Sequence, residues 1–237
     1  MQARGRLISS LADKPIAIIG CGSLGSTVAE LLVRLGVHKV LLIDGDKLTA
    51  PNLSRHTLSL QEVGENKAVA LTRRLNVVSP FSAIKSISTN LSEVTPVPYE
   101  LTEADIVIDC SAADTVLRVF STHKFDSPKT FFSFSISGRA TKLYAFCATA
   151  DSFPLEDFHS STQPILKAEA ELLSNEDLHW EAAGCWHPLF SARLDDISIL
   201  AALGVKWMEK QITNQASLFE VLPLPELLPT KPTTVLK

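Results

Sequence analysis

Pro15-Ile16-Ala17-Ile18-Ile19-Gly20-Cys21-Gly22-Ser23-Leu24-Gly25 decides how this chain folds. A short apolar run ending in glycine is how a strand buried on both faces reads. The glycines form a GxGxxG turn. Gly20 permits the tight turn, Gly22 lets backbone approach a phosphate, and Gly25 lets the helix pack closely on the strand. Leu24, Val28, Leu31, Leu32 and Leu35 follow at helical spacing, and Gly36 closes the helix. Lys39–Asp44 is a second buried strand that ends in an acid. The unit is strand, turn, helix, strand, with helix amides and dipole facing an anion. Asp44 stands about 20 residues after the turn, where it can accept hydrogen bonds from ribose hydroxyls. The pattern predicts a nucleotide site and leaves NAD and ATP both open.

Outward from that unit, Leu60–Asn76 reads as a helix, Ala83–Ser88 and Asp105–Cys110 as strands, and Val116, Leu117 and Phe120 mark another helix. Thr130–Ser135 and Lys142–Ala148 alternate like two more strands. After Ala150 the βα repeat breaks. A helix is expected around Pro164–Leu173, and Asp195–Ile212 is an amphipathic helix with Ile197, Leu200, Ala201, Val205 and Met208 inward. The expected fold is α/β: a Rossmann-like, mostly parallel sheet with helices on both faces, plus a C-terminal crossover segment and helix. Residues 1–150 would form the nucleotide-binding domain, 151–220 the crossover and helix completing it, and 221–237 a Pro-rich tail.

Composition narrows the function classes. The 237 residues are 46% hydrophobic and 20% charged, which excludes a disordered or collagen-like chain. Lys and Arg total 22 against 26 Asp and Glu, for a net charge of -4, so nucleic acid is not an expected partner. No apolar run is long enough for a membrane span, and Met1–Lys14 lacks the pattern of a signal peptide, which points to the cytoplasm. Cys21, Cys110, Cys147 and Cys185 include no CxxC pair, so no four-cysteine zinc site is expected. Cys21, Cys110 and Cys147 read as packing.

Three further groups separate ATP from NAD: Asp44-Gly45-Asp46, Asn52-Leu53-Ser54-Arg55-His56, and Gly64-Glu65-Asn66-Lys67-Ala68. With the glycine turn they resemble the ThiF-type adenylyltransferases, which include sulfur-carrier activators and ubiquitin-activating enzymes. The family pattern is GxGxxG, an acid after the second strand, a following Asp, Asn-Leu-x-Arg-Gln and Gly-x-x-Lys-Ala. One element departs: His56 stands where the family usually has Gln. The resemblance covers residues 15 to 148 and is fainter to 212.

That resemblance implies ATP-dependent adenylation of the C-terminal carboxylate of a ubiquitin-like or sulfur-carrier protein. Charge moves between phosphates in that step, so fixed cations should meet it. Arg55 and Lys67 are the resembling cations. Asn52 would orient the triphosphate, Asp44 would hold the ribose, and Asp46 would help shape the pocket around Arg55. A homodimer, or a place in a larger multidomain protein, is implied too.

The departures bear on activity. The family usually carries Asp-Cys-Thr-Asp-Asn after the fourth strand, and its second Asp binds magnesium. Here the run is Asp109-Cys110-Ser111-Ala112-Ala113-Asp114, with Ala112 at the acid position. Asp114 or Asp109 would have to hold Mg2+. Before the first strand only Arg4 and Arg6 could serve as the family's N-terminal arginine. Gly184-Cys185-Trp186-His187-Pro188 falls where ubiquitin-activating enzymes carry the thioester cysteine, so Cys185 is either an acyl-accepting nucleophile aided by His187 or a buried thiol beside a tryptophan. Two other function classes stay open: a catalytically silent module that docks a carrier, favoured by Ala112, and an NAD-dependent dehydrogenase, which leaves Asn52, Arg55 and Lys67 unexplained.

Overall fold

A computed structural model describes residues 8–79, 81–94, 96–138, 140–174, 192–213 and 216–225. The first half alternates strand and helix: β1 (Ile16–Ile19), α2 (Ser23–Arg34), β2 (Lys39–Ile43), α3 (Lys67–Leu75), β3 (Ala83–Ile87), β4 (Ile106–Asp109) and α5 (Asp114–Thr122). Two short helices, α1 (Ser9–Ala12) and α4 (Tyr99–Thr102), precede β1 and β4. The second half is β5 (Lys129–Ile136), β6 (Lys142–Ala150), α6 (Leu155–Ser174), α7 (Leu194–Gln211) and β7 (Leu218–Pro223).

The seven strands lie in the order β3-β2-β1-β4-β5-β6-β7. β1 to β5 are parallel, while β6 and β7 turn back antiparallel. The mostly parallel Rossmann-like sheet expected from sequence is therefore present. Strand order reverses between β1 and β4, and the crevice beyond their carboxyl ends is where such sheets bind ligands.

Side-chain alternation puts one core on each face. Ile16, Ile18, Val40, Leu42, Ile106 and Ile108 pack with Val28 and Leu32 of α2, Leu71 of α3 and Leu200 and Met208 of α7. Ala17, Ile19, Leu41, Ile43 and Val107 face the other way, toward Leu117 and Phe120 of α5 and Phe153. Each Val, Leu, Ile, Met or Phe side chain among these contributes about 1.5–3 kcal/mol, so the β1 floor of the site is held from both sides.

Three elements differ from the sequence expectation. The helix over 60–76 is cut: a 3-10 turn (Leu60–Glu62) ends before Gly64, whose φ of 93° no helix accommodates, and Asn66 then caps α3 by accepting from Val69 N at 3.0 Å. α6 starts at Leu155, before the expected Pro164–Leu173, and holds Pro164 inside. Finally, Val221–Pro223, expected as the start of a tail, forms the end of β7, paired with β6 from Lys142↔Pro223 to Cys147↔Leu218. Trp207 explains why β7 stays in place: its ring packs edge-on against Phe132 and Phe134, and its Nε1 donates to Glu220 at 2.9 Å.

Candidate functional site

The floor of the site is the turn from β1 into α2. Gly20 has φ 85°, and a Cβ there would sit 2.8 Å from the Ser111 backbone, so the loop after β4 closes directly on this turn. A Cβ on Gly25 would lie 1.9 Å from the Gly20 carbonyl oxygen and 3.2 Å from Cys110 Cβ. Gly22 differs: nothing lies within 4 Å of its would-be Cβ, and it is the N-cap of α2 without a side-chain cap. Close packing at Gly20 and Gly25 and open space at Gly22 are what an anion-binding helix N-terminus needs.

Asp44 is 7% exposed at the end of β2. Its Oδ2 accepts from Cys21 N at 2.6 Å and its Oδ1 from Asp46 N at 2.7 Å. Burial pushes its pKa up, against those two N–H groups and the Lys67 charge, which pull it down. The acid therefore braces the glycine turn.

Asn66 donates its amide to the carbonyls of Asp44 and Asp46 at 2.8 and 3.2 Å. This ties the end of β2 to the start of α3 and delivers Lys67. Lys67 N donates to the Asp46 carbonyl at 2.9 Å, and Lys67 Nζ pairs with Asp46 Oδ2 at 3.1 Å. The Lys67 side chain is only 12% exposed. Asp46, expected to help shape the pocket around Arg55, is the partner of Lys67. Asn66 was also missed as a functional residue, although Asn just before an apolar helix is a readable cap signal.

Asn52 accepts from Thr49 N and Oγ1 at 3.1 and 2.9 Å, a cap of the 3-10 turn Ala50–Ser54. Its amide NH2 remains the group able to donate to a phosphate. Arg55, half-buried, closes that turn. It lines an open cavity of about 970 Å³ with Ser54, Leu194, Ser198 and Ile199. The next residue, His56, is 4% exposed and bonds to the Cys21 carbonyl through Nε2 at 2.6 Å.

Beyond β4, Asp109 is buried. Ser111 N and Oγ donate to its Oδ1 at 3.0 and 2.5 Å, and Ser133 Oγ donates to its Oδ2 at 3.2 Å. Burial pushes its pKa up to about 6 despite those donors. With its oxygens taken up in this way, Asp109 organises the β4 turn and fits a metal poorly. Asp114 opens α5 as an exposed carboxylate, and Ala112, also exposed, has φ 53°. Of the two acids after β4, Asp114 is the exposed one and Asp109 the buried one. Among the described residues no group of three or more His, Cys, Asp or Glu could hold a metal. No helix of the described residues is long and apolar enough to cross a membrane.

Cys21 and Cys147 are buried, and burial raises both thiol pKa values, as it does that of half-buried Cys110. None of the three is a poised thiolate. Cys185, His187, Arg4 and Arg6 lie outside the described residues.

Comparison with known proteins adds the family. A model of the ThiF family matches residues 4–149. The chain belongs to the ThiF family. The ATP-dependent ubiquitin transferase-like protein Cap2 of Enterobacter hormaechei subsp. hoffmannii (strain UCI 50) is 36% identical over 221 residues, covering 93% of this chain and 36% of that protein. Ubiquitin-like modifier-activating enzyme 5 of Drosophila ananassae is 33% identical over 84 residues, 35% of this chain and 21% of the relative. The chain therefore spans well under half the length of these relatives. Among solved structures, E. coli MccB with succinimide matches with TM-score 0.61 at 16% identity, covering 92% of this chain and 67% of that one. E. coli tRNA N6-threonylcarbamoyladenosine dehydratase, TcdA, in complex with ATP, matches with TM-score 0.59 at 17% identity, covering 85% and 86%. Both share the fold.

Proposed function

We propose that this ThiF-family chain binds ATP and adenylates the C-terminal carboxylate of a ubiquitin-like or sulfur-carrier protein. A carboxylate oxygen attacks the α-phosphorus, the bond from that phosphorus to the bridging oxygen breaks, and pyrophosphate leaves an acyl-adenylate. The observation that carries the reading is the delivery of Lys67, paired with Asp46, beside an open glycine turn braced by Asp44. An NAD enzyme gives that lysine no task. One relative named an ATP-dependent ubiquitin transferase-like protein, another named a ubiquitin-like modifier-activating enzyme, and a like fold solved with ATP support it further.

The roles follow from the geometry. The Gly22 turn and the α2 N-terminus would receive phosphate oxygens, with Asp44 on the ribose hydroxyls. Arg55 and Lys67 would meet the charge that develops as pyrophosphate departs, one as a planar fork and one as a point charge. Asn52 would donate its amide to the triphosphate. Mg2+, when bound, neutralises phosphate charge, and Asp114 would hold it through water. With the matching carrier, the protein should exchange labelled pyrophosphate into ATP. No exchange with that carrier would sink the adenylation reading.

For Cys185 the proposal is transfer of the acyl group from AMP to the thiol. Cys185→Ala should leave pyrophosphate exchange at the unaltered level and abolish a reducible carrier adduct on a denaturing gel. An adduct that survives removes Cys185 from the mechanism.

Ala112 favours the second reading, a silent docking module. Asp is more at home than Ala in the left-handed region that residue 112 occupies. Ala112→Asp should therefore fold with an unchanged or slightly higher melting temperature. If magnesium binding limits turnover, exchange should rise and saturate at lower Mg2+. A silent module would instead bind carrier in calorimetry and show no exchange with either residue at 112.

A further inference from the structure

His56 stands where the family's Asn-Leu-x-Arg-Gln run has glutamine, and it is buried against the glycine turn. Leu58 N donates to its Nδ1 at 3.1 Å, so Nδ1 is an acceptor. Nε2 must then carry the proton, and it donates to the Cys21 carbonyl at 2.6 Å. The ring is neutral and in one tautomer.

That bond reaches further than Cys21. A trans peptide is planar, so its C=O and N–H point in opposite directions. Holding the Cys21 carbonyl toward the His56 ring sends the Gly22 N–H the other way. The preceding peptide is fixed likewise: Cys21 N–H goes to Asp44, and the Gly20 carbonyl points at Gly25. Two successive peptide planes of the turn are thus pinned, the first by Asp44 and the second by His56.

We propose that His56 is a positioning residue for nucleotide binding: it aims the Gly22 amide of the glycine turn at the anion and, through Leu58, fixes the loop that carries Arg55. The inference rests on the nucleotide reading above. A glutamine amide offers the same donor and acceptor pair, whereas alanine offers neither and leaves the Cys21 carbonyl and Leu58 N–H without their bonds. Protonation breaks the device too, because imidazolium cannot accept from Leu58 N.

The ionisable groups around His56 are Lys67 and Arg74 of α3, Cys21 on the turn and Asp44 bonded to that turn. Burial, then Lys67 and Arg74, lower the His56 pKa, while the bond to Cys21 opposes them. The unfolded ring binds its proton first as pH falls. The support His56 gives is therefore complete above about pH 6.5 and is lost on further acidification through the lower folded value.

The test compares the full chain with His56→Ala and His56→Gln. ATP affinity is measured by calorimetry from pH 5 to 8, and amide exchange over residues 20–26 and 55–58 is followed without nucleotide. At pH 7.5 the alanine variant should bind ATP about tenfold more weakly and exchange about tenfold faster over those segments. Glutamine should restore both to within about twofold and remove the part of the acid loss that belongs to His56. Unchanged affinity and exchange in the alanine variant would overturn the proposal. If alanine prevents folding, His56→Leu, which fills much of the same space and offers neither donor nor acceptor, decides: unchanged affinity and exchange in that variant would overturn it equally. Absence of ATP binding in the unaltered chain would sink the adenylation reading instead, and exchange in the nucleotide-free protein still decides whether His56 holds the turn.

Discussion

Gly25→Ala should cost about 3 kcal/mol or more of folding stability, because the added Cβ would lie 1.9 Å from the Gly20 carbonyl oxygen. The obstacle is backbone, which has no rotamer to escape into: the Gly20 carbonyl carbon follows at 3.0 Å, and Cys110 Cβ lies at 3.2 Å. For a chain of this length that is a fall in melting temperature of roughly 6–12 °C. ATP binding should vanish with it, since α2 would have to move off β1. Gly22→Ala is the informative companion. Its φ of -73° suits alanine and its Cβ would meet nothing within 4 Å. The nucleotide-free variant should therefore melt within about 2 °C of the unaltered chain. Its ATP affinity should fall at least tenfold, because the methyl group occupies the space in which a phosphate would approach. Equal melting losses in the two variants would mean that both glycines serve packing. Unchanged ATP affinity in Gly22→Ala would move the phosphate away from this turn.

That contrast shows what the sequence could and could not reveal. The GxGxxG spacing, the apolar strands on either side of it and Asp44 were legible because a buried βαβ unit leaves little freedom in residue type. The division of labour among the three glycines depends on what each Cβ would touch, and spacing alone does not carry it. Asp46 and Lys67 were both singled out, yet their ion pair spans 21 positions and forms only because Asn66 ties β2 to α3. Cys21 was read as packing, and its side chain is indeed fully buried. Its main chain does the work at the site, accepting from His56 and donating to Asp44, and main-chain roles leave no mark on residue type. β7 was hidden for a different reason. Leu218–Pro223 runs into prolines, which read as a tail, and only pairing with β6 and the bond from Trp207 to Glu220 make it a strand. The break at Gly64 was written in the sequence, but it lay within a stretch whose apolar positions fit one helix face.

Lys67→Met should lower pyrophosphate exchange by roughly 10²–10³, the usual effect of removing one fixed charge that meets a developing anion. Stability should change little. The pair with Asp46 involves a carboxylate 47% exposed, and pairs of that kind contribute about 0–1 kcal/mol. Methionine keeps most of the stem that makes Lys67 only 12% exposed. Removing the charge also removes one of the influences that lower the pKa of Asp44, whose value burial already raises. Asp44 should then take up its proton at a higher pH, and the acid limb of ATP binding should move up with it. Lys67→Arg should restore only part of the exchange, because a broad planar fork cannot occupy the place of a compact ammonium held 3.1 Å from Asp46. The measurements separate the two roles open to this lysine. A methionine variant that melts several degrees lower yet exchanges pyrophosphate at the full rate would make the Asp46–Lys67 pair a structural clasp and leave Arg55 alone to meet the departing pyrophosphate. A variant that melts normally and fails to exchange puts the Lys67 charge on the reacting phosphates.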